Sequence, residues 1–272
     1  MPGPFISFLT DFGGAATAPA VCRGVMLDVA PKARILDLTH DVRPFAVRDG
    51  AFLLWSAIPY LPVGVHLVVV DPGVGTERRG IALRVARGDR LVGPDNGVLR
   101  PAADRLGGIV EARALTNSRL WRDEVSSTFH GRDVFAPVAA HLASGTEFGE
   151  AGEEIDAADL VPLAFPTATL ADGKLETGVL FVDTFGNCRL AGDVDDLAAL
   201  VGVLGPGMRF AVRAGPDETT LAYEPTFGRV PPGTPLLYRD ADYAGLGLAV
   251  NQGSAAERFG LAPDQPVSIR PA

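Results

Sequence analysis

Along the first half of the chain, short runs of consecutive apolar residues alternate with longer segments whose apolar positions recur every three to four residues, the pattern of an α/β domain. Phe5 to Leu9 reads as the opening strand, Val21 to Val29 as a helix stopped by Pro31, and Arg34 to Leu38 as a second strand. Val47 to Ile58 has helical spacing, and Val65 to Val70, apolar except for His66, is expected to form a buried strand. That run ends at Asp71-Pro72-Gly73-Val74-Gly75, which must turn and cannot extend a ladder. A further helix is expected from Asp133 to Leu142, with Pro137 in its first turn or at a kink.

From Ala164 to Gly173 the periodicity lapses and breakers accumulate, so the domain boundary is placed there: an α/β domain over residues 1–165 and a smaller one over 174–272. Beyond it, Leu175 to Val182, Arg209 to Val212, Leu236 to Arg239 and Leu246 to Val250 are short strand-like runs separated by Gly, Pro and Asp. They predict a mainly antiparallel, barrel-like β domain interrupted by one short helix, Ser254 to Phe259.

Composition narrows the function. A net charge of −9 argues against a nucleic-acid backbone as partner. No apolar run reaches the ~18 residues of a membrane span, and the opening residues lack a basic stretch followed by an apolar one, so a soluble, cytoplasmic protein is expected. Cys22 and Cys188 are too few for a disulfide framework and are expected in the packing. With four histidines and neither HExxH nor CxxC spacing, no metal site is expected.

Four polar islands stand at strand ends: Thr10-Asp11-Phe12-Gly13, Asp71 to Arg79, Ser127 to Asp133, and Asp183-Thr184-Phe185-Gly186-Asn187. Singly each is weak: Asp-Phe-Gly without a glycine-rich loop and a His-Arg-Asp loop is no kinase signature, and the Asp71 glycines lack the Lys-Ser/Thr ending of a P-loop. Taken alone, Asp71 before Pro-Gly is a turn-former, Arg78 beside Arg79 a solvated pair, and His130 before Gly131 the end of an element. His66, inside a strand-like run, reads as structural, and His40 as a wall of the cleft.

Together with Asp37-Leu38-Thr39-His40, Gly93-Pro94-Asp95-Asn96-Gly97 and Ala249-Val250-Asn251, these islands resemble the S-adenosylmethionine hydroxide adenosyltransferase family, related to the fluorinase and chlorinase, over nearly the whole chain. The resemblance implies hydrolysis of S-adenosylmethionine to adenosine and methionine, without a cofactor, by water activated through Asp71, Arg78 and His130. It implies further that Asp11 accepts hydrogen bonds from the ribose hydroxyls, that Phe45, Thr128 and Phe129 line the pocket near the ribose, and that Asp183, Phe185, Asn187, Phe227 and Val250 form the adenine side. Family members are trimers whose site lies between the first domain of one subunit and the second of its neighbour, so a homotrimer is expected. Two departures stand out: Ala16 replaces an expected Asp, and Asp242 replaces an expected Ser, where it would take over the contact with the methionine amine. A halide-using transferase and a non-catalytic sensor of the same ligand are the alternatives; the charged Asp71 and His130 argue against the first, and the complete trio against the second.

Overall fold

The computed structural model describes residues 3–215, 217–241, 243 and 245–272, so Asp242 lies outside the described residues. The chain divides into two compact units, Met1–Ala164 and Phe165–Ala272.

The first unit is built on β1 (Phe5–Thr10), α1 (Ala18–Val29), β2 (Arg34–Thr39), α2 (Val47–Ala57), β3 (Val65–Val69), β4 (Gly80–Val85), β5 (Arg90–Pro94), α3 (Arg100–Arg105), β6 (Ile109–Ala114), α4 (Ala136–Ala143) and β7 (Glu154–Ile155). Its sheet runs β2-β1-β3-β5-β4-β6-β7, with β2, β1, β3 and β5 mutually parallel and β4, β6 and β7 antiparallel. Alternation along the strands sends Ile6, Phe8, Val65, Leu67 and Val69 into one core with Cys22, Val25 and Met26 of α1 and Val138, Ala139 and Leu142 of α4. Ser7 and His66, one position out of phase, belong to the other face. There Ser7 Oγ and His66 Nδ1 are 2.7 Å apart, and His66 Nε2 is 2.9 Å from Asp89 Oδ1, all three residues being buried. His66 is therefore structural, as its place in the strand suggested.

Pro19 and Pro137 both sit in first helical turns, where a missing N–H costs nothing. The expected helix from Asp133 differs in detail: Gly131–Phe135 forms a π-turn immediately after His130, and α4 starts only at Ala136.

The second unit comprises β8 (Thr169–Ala171), β9 (Lys174–Val182), β10 (Cys188–Leu190), α5 (Val194–Val201), β11 (Arg209–Ala214), β12 (Asp217–Tyr223), β13 (Pro235–Arg239), β14 (Leu246–Val250), α6 (Ala255–Phe259) and β15 (Pro266–Pro271). The order β10-β14-β13-β12-β11-β15-β9 closes because the second half of β9 pairs back onto β10, giving a seven-stranded barrel antiparallel throughout except at β12–β13. Leu175, Val179, Cys188, Phe210, Val212, Leu237, Leu248 and Ile269 belong to its core. Both cysteines are buried free thiols whose pKa burial pushes up to about 12, which makes them packing residues.

Strands β8, β10, β12 and β15 lie outside the runs read from the sequence, and a turn and a helix were not anticipated either. Asp172-Gly173, counted among the boundary breakers, is a hairpin turn with φ of 50° and 70° joining β8 to β9, so the second unit starts before residue 174. A second helix, α5, opens with a capping box between Asp193 and Asp196.

Candidate active site

In the first unit the strand-end loops converge on a cavity of about 260 Å³ lined by Asp11, Phe12, Phe45, Asp71, Thr128, Phe129 and His130 among others. Asp71 lies just beyond β3, whose end is tied down by Asn96 Nδ2 donating to the Val70 carbonyl at 2.8 Å. The chain then doubles back, with Val74 N–H bonded to the Asp71 carbonyl, and delivers Arg78 just ahead of β4. Gly75 is in the left-handed region at φ 77°, and a Cβ there would stand 2.3 Å from the Ser127 carbonyl. Its bareness lets the loop carrying Thr128, Phe129 and His130 lie directly against the Asp71 turn.

Arg78 holds Asp71 by both edges: Nε donates to Oδ1 at 3.0 Å and Nη2 to Oδ2 at 2.5 Å, a bidentate pair with side-chain exposures of 9% and 5%. The same Nη2 lies 3.3 Å from His130 Nδ1, and the guanidinium sits over the Phe135 ring. Arg79, by contrast, turns away to Asp95 and the Asp159 carbonyl, so the adjacent arginines are not a solvated pair. Burial raises the Asp71 pKa above the ordinary carboxylate value, against the opposing pull of Arg78. Burial, and then the Arg78 charge, lower that of His130. The result is a carboxylate more basic than usual beside an imidazole held neutral.

Asp133, fully buried, braces the His130 loop by accepting Ser126 N–H at 2.9 Å and pairing with Arg132. Phe129 and Phe12 meet edge to face with centroids 5.7 Å apart, and a Cβ on Gly131 would approach Phe12 to 2.8 Å. Asp11 Oδ2 accepts Phe45 N–H at 2.9 Å. Phe45 is 72% exposed and has φ 66°, a conformation an aromatic residue adopts only when its surroundings hold it there. His40 does not line this cavity; its ring is bonded to Thr10 instead.

The second unit presents its own cavity of about 380 Å³, lined by Phe185, Asn187, Phe227, Val250, Asn251, Gln252 and Gly253. Asp183 shapes this loop: Oδ1 accepts the N–H groups of Phe185 and Asn187, and Oδ2 accepts Asn187 Nδ2, each at 2.9 Å. Its contacts are thus spent on the loop, and Asn187 is the member that faces the cavity. With one Nδ2 hydrogen spent on Asp183, the Asn187 amide keeps its carbonyl oxygen and its second N–H for a ligand. Phe185 is 78% exposed, while Phe227 packs at a tilt against Tyr238, with ring centroids 4.9 Å apart.

Among the described residues no group of three or more His, Cys, Asp or Glu side chains is placed to hold a metal ion, and no helix is long and apolar enough to cross a membrane. Sequence reasoning passed over Asn96, Asp133 and the Thr10–His40 pair. All three lie in motifs it had singled out, but the partners of Asn96 and Thr10 are 26 and 30 positions away in sequence.

The SAM hydroxide adenosyltransferase N-terminal domain matches residues 6–152, and the C-terminal domain of the same family matches residues 177–268. The chain is 45% identical over 268 residues, 98% of each chain, to the (R)-S-adenosyl-L-methionine hydrolase of Salinispora tropica. It is 26% identical to a fluorinase of Actinopolyspora mzabensis over 98% of this chain and 97% of that one. Among solved structures, an uncharacterized conserved protein from Thermotoga maritima superposes with a TM-score of 0.88 at 35% identity, covering 97% of this chain and 99% of that one. The protein belongs to the SAM hydroxide adenosyltransferase family.

Proposed function

We propose that this chain hydrolyses S-adenosyl-L-methionine to adenosine and L-methionine, in the cytoplasm. The observation that carries the reading is the Asp71–Arg78–His130 constellation at the rim of a cavity, in a chain resembling the named hydrolases along its whole length. Water attacks the 5′ carbon opposite sulfur; the C–O bond forms as the C–S bond breaks, and its electron pair neutralises the sulfonium, so methionine departs as a neutral thioether. The leaving group needs no acid. What needs help is the water, which must lose a proton.

The three side chains divide that work. The Arg78 charge favours hydroxide over water beside it. His130 Nδ1 faces an Arg78 N–H and accepts from it, which puts the neutral ring's proton on Nε2. Nε2–H then serves as a donor that orients the water oxygen, and Asp71, its basicity raised by burial, takes the proton before passing it to solvent. Asp11 receives the ribose hydroxyls as an acceptor-only group; Phe45, Thr128 and Phe129 shield the reacting carbon; and Asn187 offers its carbonyl to the adenine amino group between Phe185 and Phe227. Asp242, outside the described residues, is proposed to meet the methionine amine.

A homotrimer, with the two half-sites completed between copies, is part of the same proposal; the large exposure of Phe45 and Phe185 supports it. No isolated monomer is then active. Purified protein given S-adenosylmethionine in chloride-free oxygen-18 water tests the chemistry. Labelled adenosine is expected, whereas intact bound substrate would favour a sensor and a halide requirement would favour a transferase.

A further inference from the structure

We propose that His40 is a positioning residue for ribose recognition, acting through Thr10 on the backbone that carries Asp11. This rests on the assignment of Asp11 to the ribose hydroxyls made above.

A single chain of polar contacts runs from α1 to the cavity. Arg23 pairs with Asp37 at the end of β2. The other oxygen of Asp37, Oδ1, lies 3.2 Å from His40 Nε2, within ion-pair distance but off hydrogen-bond geometry, and among the described residues neither of these buried atoms has a hydrogen-bond partner. His40 Nδ1 lies 2.9 Å from Thr10 Oγ1, and that hydroxyl accepts the Phe12 N–H at 3.2 Å. The His40 carbonyl meanwhile takes the Gly13 N–H at 2.7 Å.

The direction of the chain follows from the capacities of its members. Asp37 Oδ1 can only accept, which favours a proton on the facing His40 Nε2, and the bare Nδ1 then accepts the Thr10 hydroxyl proton while Oγ1 accepts from Phe12. The Asp37 charge is itself balanced by Arg23. Thr10 is fully buried and His40 nearly so, and the Phe8 ring meets the imidazole edge to face at 4.8 Å. Asp11 therefore stands between two residues whose polar groups are both anchored on His40. Its carboxylate is further fixed by Phe45 N–H, which leaves Oδ1 for the substrate. A ring that merely filled space would need neither the Thr10 hydroxyl nor the Asp37 carboxylate.

The test compares S-adenosylmethionine with its 2′-deoxy analogue in wild type, Thr10→Val, Thr10→Ser and His40→Gln. Wild type is expected to prefer the ribose form by about tenfold or more in kcat/KM, the range of a hydrogen bond to a charged group. Thr10→Val and His40→Gln should lose most of that preference, with KM rising more than kcat falls, and Thr10→Ser should retain it. A preference unchanged in Thr10→Val and His40→Gln, or lost equally in Thr10→Ser, overturns the proposal. Amide exchange at Phe12 provides an arm independent of turnover, and of Thr10→Val should that variant not fold: faster exchange in His40→Gln is expected, and an unchanged rate is refuting. If wild type releases no adenosine at all, the functional reading fails, and the calorimetric preference for adenosine over 2′-deoxyadenosine in the same variants still decides the role of His40.

Discussion

Arg78 Nη2 stands 3.3 Å from His130 Nδ1 while also donating to Asp71, so one nitrogen couples the carboxylate to the imidazole. Protonating Nδ1 would set two donors and two positive charges face to face. Because the His130 pKa is lowered from its ordinary 6.5, the ring is neutral throughout the neutral range. The depressed value means the proton is gained only below the usual histidine titration. Asp71, whose pKa is raised, protonates on the same side as pH falls. kcat should therefore be level above about pH 6.5 and decline on the acid side only, with no alkaline limb up to the range of lysine. A rate that rises on acidification would show that the imidazolium is the working form.

The same geometry sets Arg78 apart from a generic cation. A lysine ammonium cannot span both Asp71 oxygens and still reach His130. Arg78→Lys and His130→Ala are each expected to lower kcat by about 10² or more while leaving adenosine affinity within a few-fold. Single-turnover rates and calorimetry separate the two quantities, and a wild-type rate in either variant would remove that residue from the chemistry.

Much of this site was legible before any coordinates, for a physical reason. In a parallel sheet the strand ends carry the loops, so polar motifs such as Thr10-Asp11-Phe12-Gly13 and Asp71 to Gly75, each directly after an apolar run, had to gather at one edge. What spacing could not reveal is which side chains in those motifs face each other across 52 residues, as Arg78 and His130 do, or that Asp183 spends its oxygens on its own loop. The Asp172-Gly173 turn was misplaced because the same residues that end a domain also close a hairpin. The π-turn after His130 has no sequence period of its own, so it read as ordinary helix.

Gly75 carries a second expectation. Alanine there would need a left-handed φ and would drive its methyl into the Ser127 carbonyl, so the loop bearing His130 must retreat from the Asp71 turn. Gly75→Ala should cost about 1–3 kcal/mol of stability and lower kcat at least tenfold, since a displaced imidazole loses its contact with Arg78. Denaturant titration together with kcat measures both effects, and a stable, fully active variant would show that the two loops move independently.

The last expectation concerns stability away from the site. Asp89 is fully buried where it receives His66 on one oxygen and the Nε and Nη2 donors of Arg87 on both. Burial alone would raise its pKa, but hydrogen bonds from His66 and Arg87 outweigh it and hold the carboxylate well below its ordinary 3.8. A depressed carboxylate pKa means the folded state favours the anion. Its contribution is therefore complete above the unfolded value and is lost progressively as pH falls toward the folded one. Asp89→Asn leaves Arg87 without its counter-charge and His66 without its carboxylate partner, and at pH 7 it should destabilise the protein by about 3–5 kcal/mol. Because wild type loses its advantage only on acidification, the gap between the two proteins in urea titrations should be constant down to about pH 4 and narrow below it. A gap of the same size at every pH would mean that the asparagine is costly for its shape and not for its missing charge.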